Sequence, residues 1–88
     1  MKIIWATQAL NDYRHFQNFE PALAEKISTL IEDIRRKPFT GPGRPEPLRG
    51  DISGFWSRRI TSRHRLVYRV SGRGADRRLE IAQCRFHY

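Results

Sequence analysis

From Gly54 to Val70 the chain reads Gly-Phe-Trp-Ser-Arg-Arg-Ile-Thr-Ser-Arg-His-Arg-Leu-Val-Tyr-Arg-Val. Two short runs of aromatic and branched residues flank a polar turn, the pattern of a β-hairpin. Arg58, Arg59, Arg63, Arg65 and Arg69 are threaded through it. Successive strand side chains point to opposite faces, so the length of the turn decides which arginines cooperate. With Thr61-Ser62-Arg63 as the loop, Arg59 sits opposite Arg65. Phe55, Ser57, Arg59, Arg65, Val67 and Arg69 then share one face. Trp56, Ile60, Leu66, Tyr68 and Val70 share the other, with Arg58 and His64 as outliers near its edge. A loop one residue longer sets Arg65 opposite Ile60 and mixes the sets, so the shorter loop is expected. It leaves one face apolar for packing and one cationic and open.

The apolar face needs a cover, and the first half of the chain supplies it. Lys2–Trp5 reads as a strand. Thr7 is placed to cap a helix over Gln8–Asn18, with Leu10, Tyr13 and either Phe16 or Gln17 on its buried stripe. Glu20-Pro21 opens a second helix, whose Leu23, Ile27, Leu30, Ile31 and Ile34 follow helical spacing. Arg35, Arg36 and Lys37 put positive charge at its C-terminus, and Pro38 stops it. From Pro38 to Gly54, prolines and glycines make regular structure unexpected. The residue before each proline is pushed toward extended backbone, which stiffens Pro45-Glu46-Pro47 and fixes the angle of Glu46. Leu48 and Ile52 are candidates to pin this loop to the core.

After the hairpin, residues 71–78 read as a flexible connector and Leu79–Phe86 as a last strand. In that strand Gln83, Arg85 and His87 alternate with Ala82, Cys84 and Phe86. The small and apolar set belongs toward the helices, so His87 is expected on the cationic face; alternation does not fix Tyr88. Strand, helix, helix and three strands make an α+β pattern in one domain over residues 1–88, two helices on one face of a mainly antiparallel sheet.

Charge narrows the partners. The chain carries a formal net charge of +8, with 17 Lys and Arg, of which only Lys2, Lys26 and Lys37 are lysines. An arginine excess favours bidentate recognition of phosphate or carboxylate, so nucleic acid or an acidic protein fits better than a membrane. No apolar run reaches membrane-span length and the N-terminus does not resemble a signal peptide. The single cysteine, Cys84, excludes an internal disulfide framework and fits a reducing cytoplasm. Scattered histidines and carboxylates lack metal-ligand spacing, so neither metal nor cofactor is expected.

Cutting RNA without a metal needs a base for the 2′-OH, an acid for the departing 5′-oxygen and positive charge on the phosphorane-like transition state. Glu46, His87 and the pair Arg59–Arg65 have the right functional groups. Each has an ordinary explanation as well: a solvated loop carboxylate, a frayed terminus, surface charge. His15 reads as a helix-surface residue, His64 as a turn residue and Cys84 as a core thiol. Composition and spacing reach a basic α+β domain suited to RNA, with binding alone and metal-free cleavage both open.

Beyond that, the chain resembles the YoeB (Txe) family of toxins in the RelE/ParE superfamily. The resemblance runs through Lys2-Ile3-Ile4-Trp5, Arg35-Arg36-Lys37-Pro38-Phe39, Gly43-Arg44-Pro45-Glu46-Pro47-Leu48, Ser53 to Thr61, His64-Arg65-Leu66-Val67-Tyr68 and Cys84-Arg85-Phe86-His87-Tyr88. It implies a RelE-like, microbial-ribonuclease-like fold and a ribosome-dependent mRNA endoribonuclease acting in the A site. By matching position, Glu46 would be the general base and His87 the general acid. Arg65 would stabilise the transition-state phosphate, Arg59 would orient or neutralise it, and Tyr88 would position the substrate. Arg49 stands where the family commonly has lysine, and Phe86 where tyrosine is common. Arg58, Arg63 and Arg69 are left to hold ribosomal RNA or the antitoxin. The Gly72-to-Arg78 connector, longer and more basic than the family pattern, reads as a tolerated insertion, with contact to ribosomal RNA as the alternative. The resemblance also implies a cognate YefM-like antitoxin and toxin homodimers. The competing readings are a ParE-like gyrase poison and a non-catalytic RNA-binding module.

Overall fold

The i, i+4, i+7 run in the second helix becomes the main seam of the core. In the computed structural model, which describes residues 1–86, α1 spans Thr7–Phe19 and α2 spans Pro21–Arg36. Pro21 lies in the first turn of α2, where its missing N–H has no helical partner to lose. Ile27, Leu30, Ile31 and Ile34 are buried against Ala9 and Phe16 of α1 and against the sheet. Full burial of each such isoleucine contributes about 1.5–3 kcal/mol. Thr7 does not cap α1. The N-cap is Ala6, which makes no side-chain cap bond. The Ala6 N–H is already held by the Ile81 carbonyl at the end of the first strand, so the chain turns there and Thr7 enters the helix.

Among the described residues five strands form one sheet: β1 Lys2–Trp5, β2 Glu46–Pro47, β3 Trp56–Arg59, β4 Arg65–Ser71 and β5 Arg78–Gln83. Their order is β1-β5-β4-β3-β2, with β1 parallel to β5 and every other pair antiparallel. Ile60, Leu66, Tyr68, Leu79, Ile81 and Cys84 complete the core from the sheet side. The fold is α+β, two helices packed on a mixed sheet, as expected. Among the described residues no helix is long and apolar enough to cross a membrane.

The hairpin has the expected register, with Arg59 opposite Arg65, Ser57 opposite Val67 and Trp56 opposite Tyr68. Three features differ from expectation. The loop after α2 is not irregular throughout: Glu46–Pro47 adds an edge strand and Gly50–Ile52 forms a 3-10 turn. Leu48 is buried but Ile52 is 40% exposed, so of these two side chains Leu48 is the one that reaches the core. The 71–78 connector also contains a 3-10 turn, Gly74–Asp76, closed on Arg73 and Gly74 carbonyls. There the chain bends so tightly at Gly72 that a Cβ would lie 2.2 Å from the Asp76 carbonyl oxygen.

The last strand is shorter than expected. It ends at Gln83, and the β4–β5 register shifts between Val67 and Tyr68. Val67 pairs with Gln83 and Tyr68 with Ile81, leaving Ala82 without its own partner, as in a β-bulge. Cys84 is still fully buried, its thiol donating to the Ala9 carbonyl at 3.4 Å. Burial pushes the Cys84 pKa up to about 12, so it remains a protonated core thiol. Arg85 leaves the sheet and turns toward α1, 3.5 Å from Asp12 and over the Phe16 ring. The expected alternation of Gln83 and Arg85 on one face therefore stops at the bulge.

Candidate active site

β2 is only two residues long, yet it decides the position of Glu46. Glu46 pairs with Ser57 and Pro47 with Trp56, and the Arg59 N–H bonds the Gly43 carbonyl at 2.6 Å. With Ser57 opposite Val67 and Val67 opposite Gln83, a row Glu46–Ser57–Val67–Gln83 crosses four strands. Arg59 and Arg65 form the adjacent cross-strand pair, two residues along β3 and β4, and so lie on the same face as Ser57 and Val67. A carboxylate and two guanidinium groups thus share the face away from the helices. Like charges directly opposite on neighbouring strands repel by roughly 0.2–1 kcal/mol. Such a pair suits a site that receives an anion.

Glu46 and Arg59 are exposed, whereas Arg65 is half-buried. The Ser57 Oγ and Arg65 Nε are buried and have no hydrogen-bond partner among the described residues. A buried donor without a partner is costly, and a phosphate oxygen could satisfy the Arg65 Nε.

The segment carrying Glu46 is held from below by Arg58. This corrects the assignment of Arg58 to RNA or antitoxin contact: it is 0% exposed and lies on the helix side of the sheet. Its Nη2 donates to the carbonyls of Lys37 and Thr40 at 2.7 and 2.9 Å, and its Nη1 to the Pro42 carbonyl at 3.0 Å. Its Nε reaches the Tyr68 hydroxyl at 3.3 Å, and that hydroxyl donates to the Pro38 carbonyl at 2.6 Å. Burial raises the Tyr68 pKa and keeps the hydroxyl a donor. Gly43 completes the support, since a Cβ there would stand 3.1 Å from both the Arg58 Cβ and the Arg59 carbonyl oxygen. The loop is stiff because of this buried strut as well as its prolines.

Of the remaining arginines, Arg63 and Arg49 are exposed, one in the hairpin turn and one just beyond β2. Arg69 lies on the cationic face but is already paired. Its Nε and Nη2 donate to the Glu80 carboxylate at 3.1 and 3.2 Å, and its guanidinium stacks 4.7 Å over the Phe55 ring. The Arg69 bond, with a second from Ser71, holds the Glu80 carboxyl below its usual range. Its charge is matched across the strands while the side chain stays exposed, so any contact with ribosomal RNA or the antitoxin competes with the Glu80 pairing.

Phe86 comes back to the hairpin beside Arg65. The Arg65 N–H donates to the Phe86 carbonyl at 3.0 Å, and the Phe86 N–H donates to His64 Nδ1 at 2.8 Å. Phe86 has φ +61°, a left-handed conformation that costs a non-glycine residue about 1–3 kcal/mol unless its surroundings hold it. Gln83 helps, its Nε2 donating to the Arg85 and Phe86 carbonyls at 2.9 and 3.3 Å. His87, expected on the cationic face, and Tyr88 lie outside the described residues. His64 is the residue the sequence reading undervalued. As a turn histidine it had no signal, and only its contact with Phe86, 22 residues away, distinguishes it. Among the described residues no group of three or more His, Cys, Asp or Glu side chains is placed to hold a metal ion.

Known proteins share this arrangement over its full length. The toxin YoeB of Escherichia coli K12 is 51% identical over 88 residues, covering all of both chains. The structure of a YoeB/ParE toxin from Agrobacterium tumefaciens superposes with a TM-score of 0.97 at 53% identity, again covering all of both chains. A heterotetrameric YoeB–YefM toxin–antitoxin complex from Staphylococcus aureus contains a chain with TM-score 0.88 and 38% identity, covering 100% of this chain and 98% of that one. The family described as YoeB-like toxin of bacterial type II toxin–antitoxin systems matches residues 5–88. With the helices, the sheet order and the Glu46–Arg59–Arg65 face in place, this chain belongs to that family of toxins.

Proposed function

We propose that this toxin is a metal-independent endoribonuclease that cuts mRNA in the ribosomal A site and so stops translation. The observation that carries the reading is the β2–β3–β4 register, which sets Glu46 on one face with Arg59 and Arg65. Glu46 takes the proton from a 2′-OH, and the 2′-oxygen attacks the adjacent phosphorus. Arg65 stabilises the charge of the pentacoordinate phosphorane, and Arg59 orients the phosphate. The P–O5′ bond breaks as His87 protonates the leaving oxygen, giving a 2′,3′-cyclic phosphate and a free 5′-OH. Tyr88 positions the substrate. Arg49 and Arg63, both exposed, contact the RNA backbone around the cut.

The +8 charge supports an anionic target on this scale, and it also suits an acidic segment of a YefM-like antitoxin. The toxin acts in the cytoplasm, with antitoxin binding or toxin dimers controlling its release. The test uses purified protein on programmed ribosomes with both mRNA ends mapped. Cleavage only in the presence of ribosomes, leaving a cyclic or 3′-phosphate end, is expected. Intact message at saturating protein removes the reading in favour of a gyrase poison or a non-catalytic RNA-binding module. DNA-gyrase inhibition separates those two.

A further inference from the structure

Two consecutive residues of the hairpin hold both polar groups of a single residue at the other end of the chain. His64 Nδ1 accepts the Phe86 N–H at 2.8 Å, and the Arg65 N–H donates to the Phe86 carbonyl at 3.0 Å. An amide N–H can only donate, so Nδ1 must be the bare nitrogen and the imidazole must be neutral, with its proton on Nε2. The ring has little freedom to leave. It packs between Phe16 and Phe86, with centroids 5.3 and 5.6 Å away. The His64 backbone is tied as well: its carbonyl accepts the N–H groups of Ile60 and Thr61, and its N–H donates to Thr61 Oγ1 at 3.2 Å. Phe86 is meanwhile in the left-handed region, which it would not hold unaided.

We propose that His64 is a positioning residue for the cleavage proposed above, its neutral imidazole fixing Phe86 beside Arg65, one position before the proposed acid His87 in the sequence. The inference rests on that nuclease reading for its purpose, but the clasp itself stands on geometry. Catalysis needs acid and phosphate-binding groups in fixed register, and a small misplacement by a remote change can cost about 10²-fold. Here the phosphate-binding residue and the clasp are neighbours in sequence, so one turn of hairpin sets both.

Protonation would abolish the acceptor. The charged groups that act on His64 are Arg63 in its own turn, Arg85 after β5, Asp12 on α1 and Glu20 between the helices. Burial is the strongest influence and lowers the His64 pKa, with Arg63 and Arg85 acting in the same direction and Glu20 and Asp12 opposing. The clasp is therefore closed at neutral pH and opens in acid.

The test compares His64→Leu, which fills the space without an acceptor, with His64→Asn, whose Oδ1 can stand near the Nδ1 position. Cleavage on programmed ribosomes is followed as kcat and KM, and exchange of the Phe86 amide by NMR. His64→Leu is expected to lower kcat about 10²-fold with KM little changed and to expose the Phe86 amide to exchange. His64→Asn is expected to restore most of kcat and the protection, and to remove the part of the acid limb that His64 contributes. Wild-type kcat in His64→Leu, or equal loss in both variants despite cooperative unfolding, overturns the proposal. If the wild type leaves mRNA intact, the nuclease reading fails and the catalytic purpose of the clasp with it. Equal Phe86 exchange in wild type and His64→Leu would instead refute the clasp while leaving the nuclease reading standing.

Discussion

Arg58 and Arg59 are adjacent in the chain and do opposite work. Arg58 points to the helix side, fully buried, and spends its guanidinium on the carbonyls of Lys37, Thr40 and Pro42. Arg59 points to the open side, exposed and directly across from Arg65. One arginine has nearly all its donors satisfied within the fold; the other faces a like charge and gains from an external anion. The contrast shows that basic composition alone does not map a binding surface. Strand parity separates the charge that braces the loop before Glu46 from the charge left open to an external anion.

Substitutions on the two sides should therefore separate activity from stability. On the open face, Glu46→Gln should lower cleavage on ribosomes by about 10²–10⁴-fold, with the thermal midpoint unchanged. A parallel fall in stability would show that Glu46 belongs to the support and break the division. On the helix side, Arg58→Met should cost about 1–3 kcal/mol or more in urea unfolding, since it leaves the Lys37, Thr40 and Pro42 carbonyls without their donor. Near-native stability in that variant would mean the loop has another anchor. Arg65→Ala should lower turnover on the order of 10²–10³-fold, while Arg59→Gln should be neutral or slightly stabilising because it relieves the repulsion between the two. A clear loss of stability in Arg59→Gln would contradict its assignment to the ligand side.

Two smaller effects sharpen the comparison. The His64 pKa lies below 6.5 in the folded protein, so the unfolded chain binds the proton first. Stability should therefore decline as pH falls from about 6.5 toward the folded value, and His64→Asn should flatten that slope in unfolding experiments. The smallest effect is expected at Glu80→Gln, where a partly exposed pair with Arg69 is worth about 0.2–1 kcal/mol. If Arg69 is only a cross-strand partner, freeing it this way should leave the cleavage rate on ribosomes close to wild type; a large change would return it to the RNA surface.

Much of this architecture was legible from local pattern. Ile27, Leu30, Ile31 and Ile34 marked the buried stripe of α2, and the apolar alternation of the hairpin selected the three-residue loop that pairs Arg59 with Arg65. Proline spacing drew attention to Glu46. The capping role given to Thr7 was wrong because the sheet had already committed the Ala6 N–H to Ile81. The alternation carried through to Phe86 was wrong because a bulge at Ala82 and the end of β5 at Gln83 interrupt it.

The chain order of side chains thus fixes helix stripes, strand parity and the sign of the open face, because each depends on residues a few positions apart. It does not fix which buried donor meets which distant carbonyl. Arg58 reaches Lys37 across 21 positions, Tyr68 reaches Pro38 across 30, and His64 receives Phe86 across 22. Those bonds exist only after the helices and sheet have packed, when burial makes an unpaired polar group costly and forces each to find a partner. That late pairing converts a basic hairpin into the wall of a site, with the Glu46 strand held on one side and Phe86 held on the other.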